Sequence, residues 1–349
     1  MTRLSRWRVL RAVAVSSATL GAAWACAAQP HPLPAAPSSG PAGGTPSIFS
    51  PGVISGPADD TAATFTPDGK TVYFTRGNGE DYDILTSHFD GTRWSQPVIA
   101  PFSGRWRDLE PAMAPDGSYL IFASSRPLEA GGKPLDGHWN GQAYPGHGGH
   151  LWRVNRRGDG WSTPSLLPDT INRYDSVFSP AVAADGSLYF MAATGPGGHF
   201  QLYCSQLESG KYRTPELLPF SAGQYGGVDP AVAPDQSFIV FASTRPPTPA
   251  HDLYAFIAFR TGGHWGEPLP LWPAVNNLGH IIELRLGPDG HTLYLASNHV
   301  VPTDYPKTRR SSIAGLQQMQ SWNDGNFNVW SVDLTPLLQG TARQARQDP

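Results

Sequence analysis

Carboxylates recur at one place in this 349-residue chain. Glu110, Asp229 and Glu283 each stand six residues before an aspartate that opens an Asp-Gly or Asp-Gln pair, and Arg285 follows two residues after Glu283. In two other copies of the pattern the same position holds Ala62 and Ser179. Asp60 and Asp108 lie two residues ahead of it, and Asp175 lies just upstream of Ser179. Gathered at one mouth, such acids with a single arginine would hold a cation, an amine or a sugar. Two of them, one kept protonated by burial, would also suit the acid/base pair of a glycosidase. An acid at a repeated position serves structure equally well, as the acceptor that ties a loop to its neighbour.

Other residues invite weaker chemistry. His138, His147 and His150 cluster in a Gly-rich stretch, but their spacing matches no familiar metal-ligand pattern, so no metal is expected. Trp139, Tyr144 and Trp322 stand in two long irregular segments, suited either to stacking on sugar rings or to pinning those segments down. The sequence contains no G-x-S-x-G, no H-E-x-x-H and no phosphate-binding glycine loop, and no cofactor is implied.

The elements that must position these residues are legible as a repeat. "AATFTPDGKTVYFTR" (62–76), "PAMAPDGSYLIFASSR" (111–126), "PAVAADGSLYFMA" (180–192), "PAVAPDQSFIVFASTR" (230–245) and "LRLGPDGHTLYLAS" (284–297) are five versions of one phrase. Their aspartates, Asp68, Asp116, Asp185, Asp235 and Asp289, lie 48, 69, 50 and 54 residues apart. In each copy a short apolar segment runs into a tight turn, and an alternating segment leaves it with the period of a strand. A third alternating segment follows every copy, and an aromatic-x-x-Pro segment marks a fourth from Trp94, Trp161, Tyr212 and Trp265. Four strands at such a period are one propeller blade.

The fifth unit lacks its aromatic-x-x-Pro strand, and a strand-like "IFSPGVIS" (48–55) precedes the first unit. The expectation is therefore a single all-β, five-bladed propeller over 47–335, closed by its N-terminal strand, with six blades as the alternative. Closure leaves no long exposed strand edge. Residues 336–349 read as a disordered tail. Arg76, Arg126 and Arg245 end equivalent second strands, which predicts blade-to-blade salt bridges. Two insertions, 128–149 without strand alternation and 300–325 with a short helix at its centre, are expected to overhang the mouth where the acids lie.

Arg3, Arg6, Arg8 and Arg11 followed by the apolar "AVAVSSATLGAAWA" form a secretory leader over 1–25, too short for a stable membrane span. Cys26 then stands either as a lipid-bearing cysteine or beside an ordinary peptidase cut, after Ala25 or Ala27. The Pro/Ala/Gly-rich stretch 26–46 reads as a tether. Cys204 is left without a disulfide partner, in a strand-like setting that suits an inert buried thiol. A net charge of −3 and a single basic cluster, "KTRR" at 307–310, argue against nucleic acid as a partner.

The "PDGKTVYFTR" and "PAMAPDGSYLIFASSR" phrases with their W-x-x-P strands resemble the PD40 repeats of TolB-like proteins, which are WD40-like propellers. The likeness covers about residues 47–335. It implies the propeller, and it implies that the acid before "PA-x-x-PDG" often bonds to a neighbouring blade. The chain departs from TolB in having only a leader and a tether ahead of its first blade, and from the repeat at Ala184-Asp185-Gly186 and Pro234-Asp235-Gln236. One fold serves many activities. The function expected is a non-catalytic cell-envelope protein, periplasmic or lipid-anchored, that binds a protein or glycan through one loop-decorated face. The alternatives are a glycan hydrolase working through the mouth carboxylates and a purely structural scaffold.

Overall fold

The computed structural model describes residues 43–194, 198–250 and 252–344. Five antiparallel sheets make up the blades, each four strands deep from the axis outward, the outermost level being split into two short strands in blades 2 and 4. The innermost strands are Asp59–Phe65, Asp108–Met113, Ser176–Val182, Gly227–Val232 and Ile281–Leu286. Nearly all of their residues are buried, because each lies between two neighbouring blades. The outermost strands are only two residues long in every blade, which keeps the edges short. The expected five blades are present, and the ring closes as foreseen: Ser47–Ile48 pairs antiparallel with Asn328–Asp333 as the fourth strand of blade 5.

The Pro-Asp-Gly repeat is explained by its hydrogen bonds. Asp68, Asp116, Asp185, Asp235 and Asp289 each accept, through Oδ1, the N–H of the residue two positions on, at 2.9–3.0 Å, which stabilises the turn with a side chain. The following residue takes a positive φ of 60–84°, as Gly69, Gly117, Gly186 and Gly290 do readily and Gln236 does at some strain.

Both departures from the repeat join blades 3 and 4. Ala184, standing where other copies have proline, donates its N–H to the Pro234 carbonyl at 2.8 Å; a proline has no such donor. Gln236 accepts from the Tyr189 hydroxyl at 2.7 Å and donates to Asp185 at 2.8 Å. The fourth-strand aromatics also bridge blades: Trp161 Nε1 donates to the Tyr73 hydroxyl at 3.0 Å, and Trp265 meets Tyr189 edge-on. At the closure seam, Phe49 packs against Phe65, Trp94 and Tyr294.

Three helices decorate the ring: α1 (Pro273–Asn276), α2 (Arg309–Met319) and α3 (Thr335–Gln344). The helix foreseen inside the blade 5 insertion is α2. The blade 2 insertion departs from its expected irregularity, since Gly137–Trp139 and Gln142–Tyr144 pair as a small hairpin. The segment from 336 is not a structureless tail. Leu337 and Leu338 of α3 pack against the blade 5 core, and that apolar contact favours helix over open chain. Residues 345–349 lie outside the described residues.

Candidate functional site

Each inner strand slips register once, between Thr61 and Thr64, Leu109 and Ala112, Phe178 and Ala181, Val228 and Ala231, and Ile282 and Arg285. Inside each slip one residue adopts a left-handed backbone: Ala62 (φ 53°), Glu110 (58°), Ser179 (46°), Asp229 (56°) and Glu283 (55°). These are the five residues at the recurring position, and none is glycine. A non-glycine residue there costs about 1–2 kcal/mol, so the surroundings must hold it in place.

Hydrogen bonds between blades do so. The Glu110 N–H donates to Thr75 Oγ1 of blade 1 at 2.8 Å, and Met113 N–H to Thr64 Oγ1 at 3.0 Å. Glu110 Oε2 accepts the Ser179 N–H of blade 3 at 2.6 Å, and Asp229 Oδ2 accepts the Glu283 N–H of blade 5 at 2.9 Å. Arg285 reaches from blade 5 across the axis to the Pro111 carbonyl of blade 2 and the Ser179 hydroxyl of blade 3, each at 3.2 Å, and lies 3.5 Å from Glu283 Oε2. The guanidinium therefore fills the channel at this level. Glu110, Asp229 and Arg285 are 3–4% exposed and Glu283 9%.

Three buried carboxyls share this region with Arg285 and with the partly buried Arg107, whose charge also acts on Glu110 and Glu283. Burial and mutual repulsion of the carboxyls favour protonation. Burial, then the charge of Asp229, raises Glu110 to about 7, despite the Ser179 N–H and Arg285. Burial and the charges of Asp229 and Glu110 push Glu283 well above the usual carboxylate range. The interaction between the two glutamates lowers Glu110 and raises Glu283, which favours Glu283 as the group that keeps a proton. Burial also raises Asp229. The Ser179 hydroxyl is close enough to ease its charge, yet Oδ1 has no well-formed hydrogen bond.

That geometry suits a structural hub better than sugar cleavage. Glycosidase carboxyls stand about 5–10 Å apart around an open subsite, whereas Glu110, Asp229 and Glu283 are buried and bonded to neighbouring strands or to Arg285. Two surface grooves, of about 890 and about 750 Å³, contain none of these residues. The first is lined by Phe49, Arg93 and Trp94 at the closure seam, the second by Tyr212, Arg260 and Trp265 beside blades 3 and 4.

The remaining acids do not join the ring. Asp60 pairs with Arg76 Nε at 2.6 Å and accepts the Gly56 N–H at 2.7 Å; burial nonetheless raises it to about 6. Asp108 takes Arg126 at 2.7 Å and the Ser124 hydroxyl at 2.6 Å, and burial raises it as well. Asp175 is exposed and apart.

The arginines correct the expectation of blade-to-blade bridges, because Asp60 and Arg76 sit directly opposite on adjacent strands of one blade. What each arginine reaches outside its own blade is a backbone carbonyl of the preceding connection: Val53 and Ile54 for Arg76, Phe102 for Arg126 and Phe220 for Arg245. Gly227 takes the acid's place in blade 4, and Arg245 bonds to the Ser243 hydroxyl instead.

Aromatics in the insertions are engaged in packing. Trp139 stacks on Tyr144 at 4.1 Å and meets Phe178 edge-on, while Trp322 is buried against Trp330. His138 donates its N–H to Ser176 of the blade 3 inner strand, and His147 lies 3.7 Å from Glu80. With His150 they form no metal-holding group among the described residues. Cys204 is partly buried, and burial pushes its thiol up to about 11, as an inert thiol requires. Cys26 lies outside the described residues. Sequence reasoning missed Thr64 and Thr75, whose role depends on facing a bulge 35–49 residues away, and the reach of Arg285.

No protein-family profile matches the chain, and no curated protein sequence matches it. Several solved structures resemble it at low identity. A TolB-like protein from Agrobacterium tumefaciens is 17% identical over 72% of this chain and 74% of its own, with a TM-score of 0.43. TolB from Acinetobacter baumannii is also 17% identical, over 65% of this chain and 46% of its own, with a TM-score of 0.41. A thermostable family-43 glycoside hydrolase is 12% identical over 69% of this chain and 83% of its own, with a TM-score of 0.46. Function must therefore be read from the chain's own residues.

Proposed function

We propose that this chain is an exported, non-catalytic propeller of the cell envelope that binds a protein or glycan partner through the face carrying its two insertions. The observation that carries this reading is the engagement of the axial acids with neighbouring blades. Glu110 and Asp229 each hold the backbone of the next blade, and Arg285 occupies the space a substrate would need.

Binding is assigned to the insertions because long loops on a rigid β scaffold are where recognition is placed. Both stand at the end of the ring where inner strands begin. The blade 2 hairpin contacts Ser176, and the blade 5 insertion bonds to the Pro57 carbonyl through Asn326. Export rests on the arginines and apolar run of residues 1–25, and the lipid anchor at Cys26 remains one of two outcomes of that leader.

The test uses the mature chain with cell-wall glycan, an oligosaccharide panel and solubilised envelope proteins. Saturable binding without turnover is expected. Binding should be lost when residues 137–144 are replaced by a short Gly-Ser link, while a still cooperative melt and native circular dichroism show that the ring is intact despite the lost Trp139 contact with Phe178. It should persist in a Glu110→Gln/Glu283→Gln variant. Glycan turnover that this double variant abolishes would overturn the reading in favour of a hydrolase.

A further inference from the structure

We infer that α2 and the basic segment leading into it form a contact site for an anionic lipid bilayer. This goes beyond the partner reading above; it shares the premise of export but does not depend on which partner the blade 2 hairpin takes.

The first observation is how α2 lies. The helix has 11 residues and no buried side chain, and its start is fixed by a capping box between Thr308 and Ser311. Ser312 and Gly315 are partly shielded while most of their neighbours are exposed. A side chain added at Gly315 would meet no neighbour within 4 Å, so the helix stands clear of the body along this part of its surface. At about 100° per residue Arg309, Ile313 and Leu316 fall on one side of the helix. Ile313 and Leu316 are each 50% exposed and Met319 51%, so the larger apolar side chains of the helix remain open to solvent.

The second observation is the charge. Lys307, Arg309 and Arg310 lie within four residues, in a chain whose net charge is −3. Arg309 and Arg310 occupy the first turn of α2, where the helix dipole disfavours cations, and no acid accompanies them there. Among the described residues neither has a carboxylate within salt-bridge distance. Lys307 lies over the ring of Tyr305, which is 76% exposed. Folding does not account for these cations.

Cations beside a solvent-open apolar stripe, with an exposed tyrosine between, match an anionic interface. The stripe enters the acyl boundary, the cations meet the headgroups and the tyrosine sits at the level between them. The path of the chain is compatible. It enters the ring at Ser47–Ile48 in blade 5, the blade that carries α2. Entry is at the Asp333 end of the neighbouring strand, not at the Asn328 end from which the insertion comes. An upstream attachment would therefore require the Pro/Ala/Gly-rich stretch before Ser47 to let this face turn to the bilayer.

Co-sedimentation of the mature chain with vesicles tests the site, using phosphatidylcholine alone and phosphatidylcholine mixed with phosphatidylglycerol. Association is expected with the mixed vesicles, much weaker with neutral ones, and falling as salt is raised. Lys307→Gln/Arg309→Gln/Arg310→Gln should weaken it on the order of a hundredfold, since each cation near an anionic surface contributes about fivefold. Ile313→Gln/Leu316→Gln should weaken it about tenfold or more. Both variants should melt as the parent does, because none of these side chains is buried, and Arg93→Gln/Arg105→Gln should bind as the parent does.

Absent association, equal association with neutral vesicles, or undiminished association of the α2 variants would each overturn the proposal. A concentration-dependent dimer lost in Ile313→Gln/Leu316→Gln would assign the stripe to a second copy of the chain and overturn it too. Partner binding by the blade 2 hairpin is read in a separate assay, so either proposal can fail alone.

Discussion

Glu110 in blade 2 accepts the backbone N–H of Ser179 in blade 3 at 2.6 Å. Both residues have the left-handed backbone of an inner-strand bulge, and Asp229 holds Glu283 of blade 5 in the same way. The acid and the bulge are one device, in which a side chain from one blade satisfies the N–H that the bulge withdraws from its own sheet.

The pH dependence of stability should expose this device. An unfolded glutamate titrates near 4.5 and Glu110 in the ring at about 7. Between those values the folded protein holds a proton that the unfolded chain has released. The associated stability is complete below 4.5 and is lost as pH rises through 7. For Glu110 alone the change is on the order of 3 kcal/mol. Urea midpoints should therefore be higher at pH 5.5 than at pH 8, and Glu110→Gln should reduce that difference while still accepting the Ser179 N–H. An unchanged slope in the variant would place the titrating group elsewhere.

Arg126 and Arg245 occupy one repeat position with different partners. Arg126→Met leaves Asp108 buried without its cation and should destabilise the protein by about 3–5 kcal/mol. Arg245 has no acid partner across its strand, so Arg245→Met should cost only about 1–2 kcal/mol through its lost bonds to Ser243 and the Phe220 carbonyl. Equal losses in chemical denaturation would contradict the pairing described for blade 2.

Ala62 is the one bulge residue with an apolar side chain. Ala62→Gly removes left-handed strain and adds freedom to the unfolded chain, with an expected net effect between zero and about 1 kcal/mol of stabilisation. Ala63→Gly, next along the same strand, should destabilise by about 1 kcal/mol or more. Calorimetric melting of the two variants distinguishes a strained bulge from ordinary strand.

Restoring the repeat at its departure should weaken the ring. Ala184→Pro suits the turn in other copies, but it removes the N–H that reaches Pro234 in blade 4. A loss of about 1 kcal/mol is expected. A gain in melting temperature would show that proline's stiffening of the unfolded chain outweighs that bond.

Local rules made the blades legible. The Pro-Asp-Gly turns, the alternation of each second strand and the early placing of "IFSPGVIS" depend on neighbours in sequence, and they specified five blades and the closure at Ser47–Ile48. The helix in the blade 5 insertion was legible for the same reason. The hairpin at 137–144 and α3 were not, because each depends on packing against a distant surface, Phe178 for the one and the blade 5 core for the other.

The acids divide along that line as well. Their recurrence before each turn could be read from the chain, and their roles could not. Arg76 turns to Asp60 of its own blade because strand register sets them opposite. Glu110 and Glu283 shift each other's proton affinity because ring closure brings strands 173 residues apart in sequence onto one axis, where burial and the nearby arginines decide which charges survive. Sequence determined what each blade is made of; tertiary structure decided which residues meet at the centre, since that meeting depends on closing the ring.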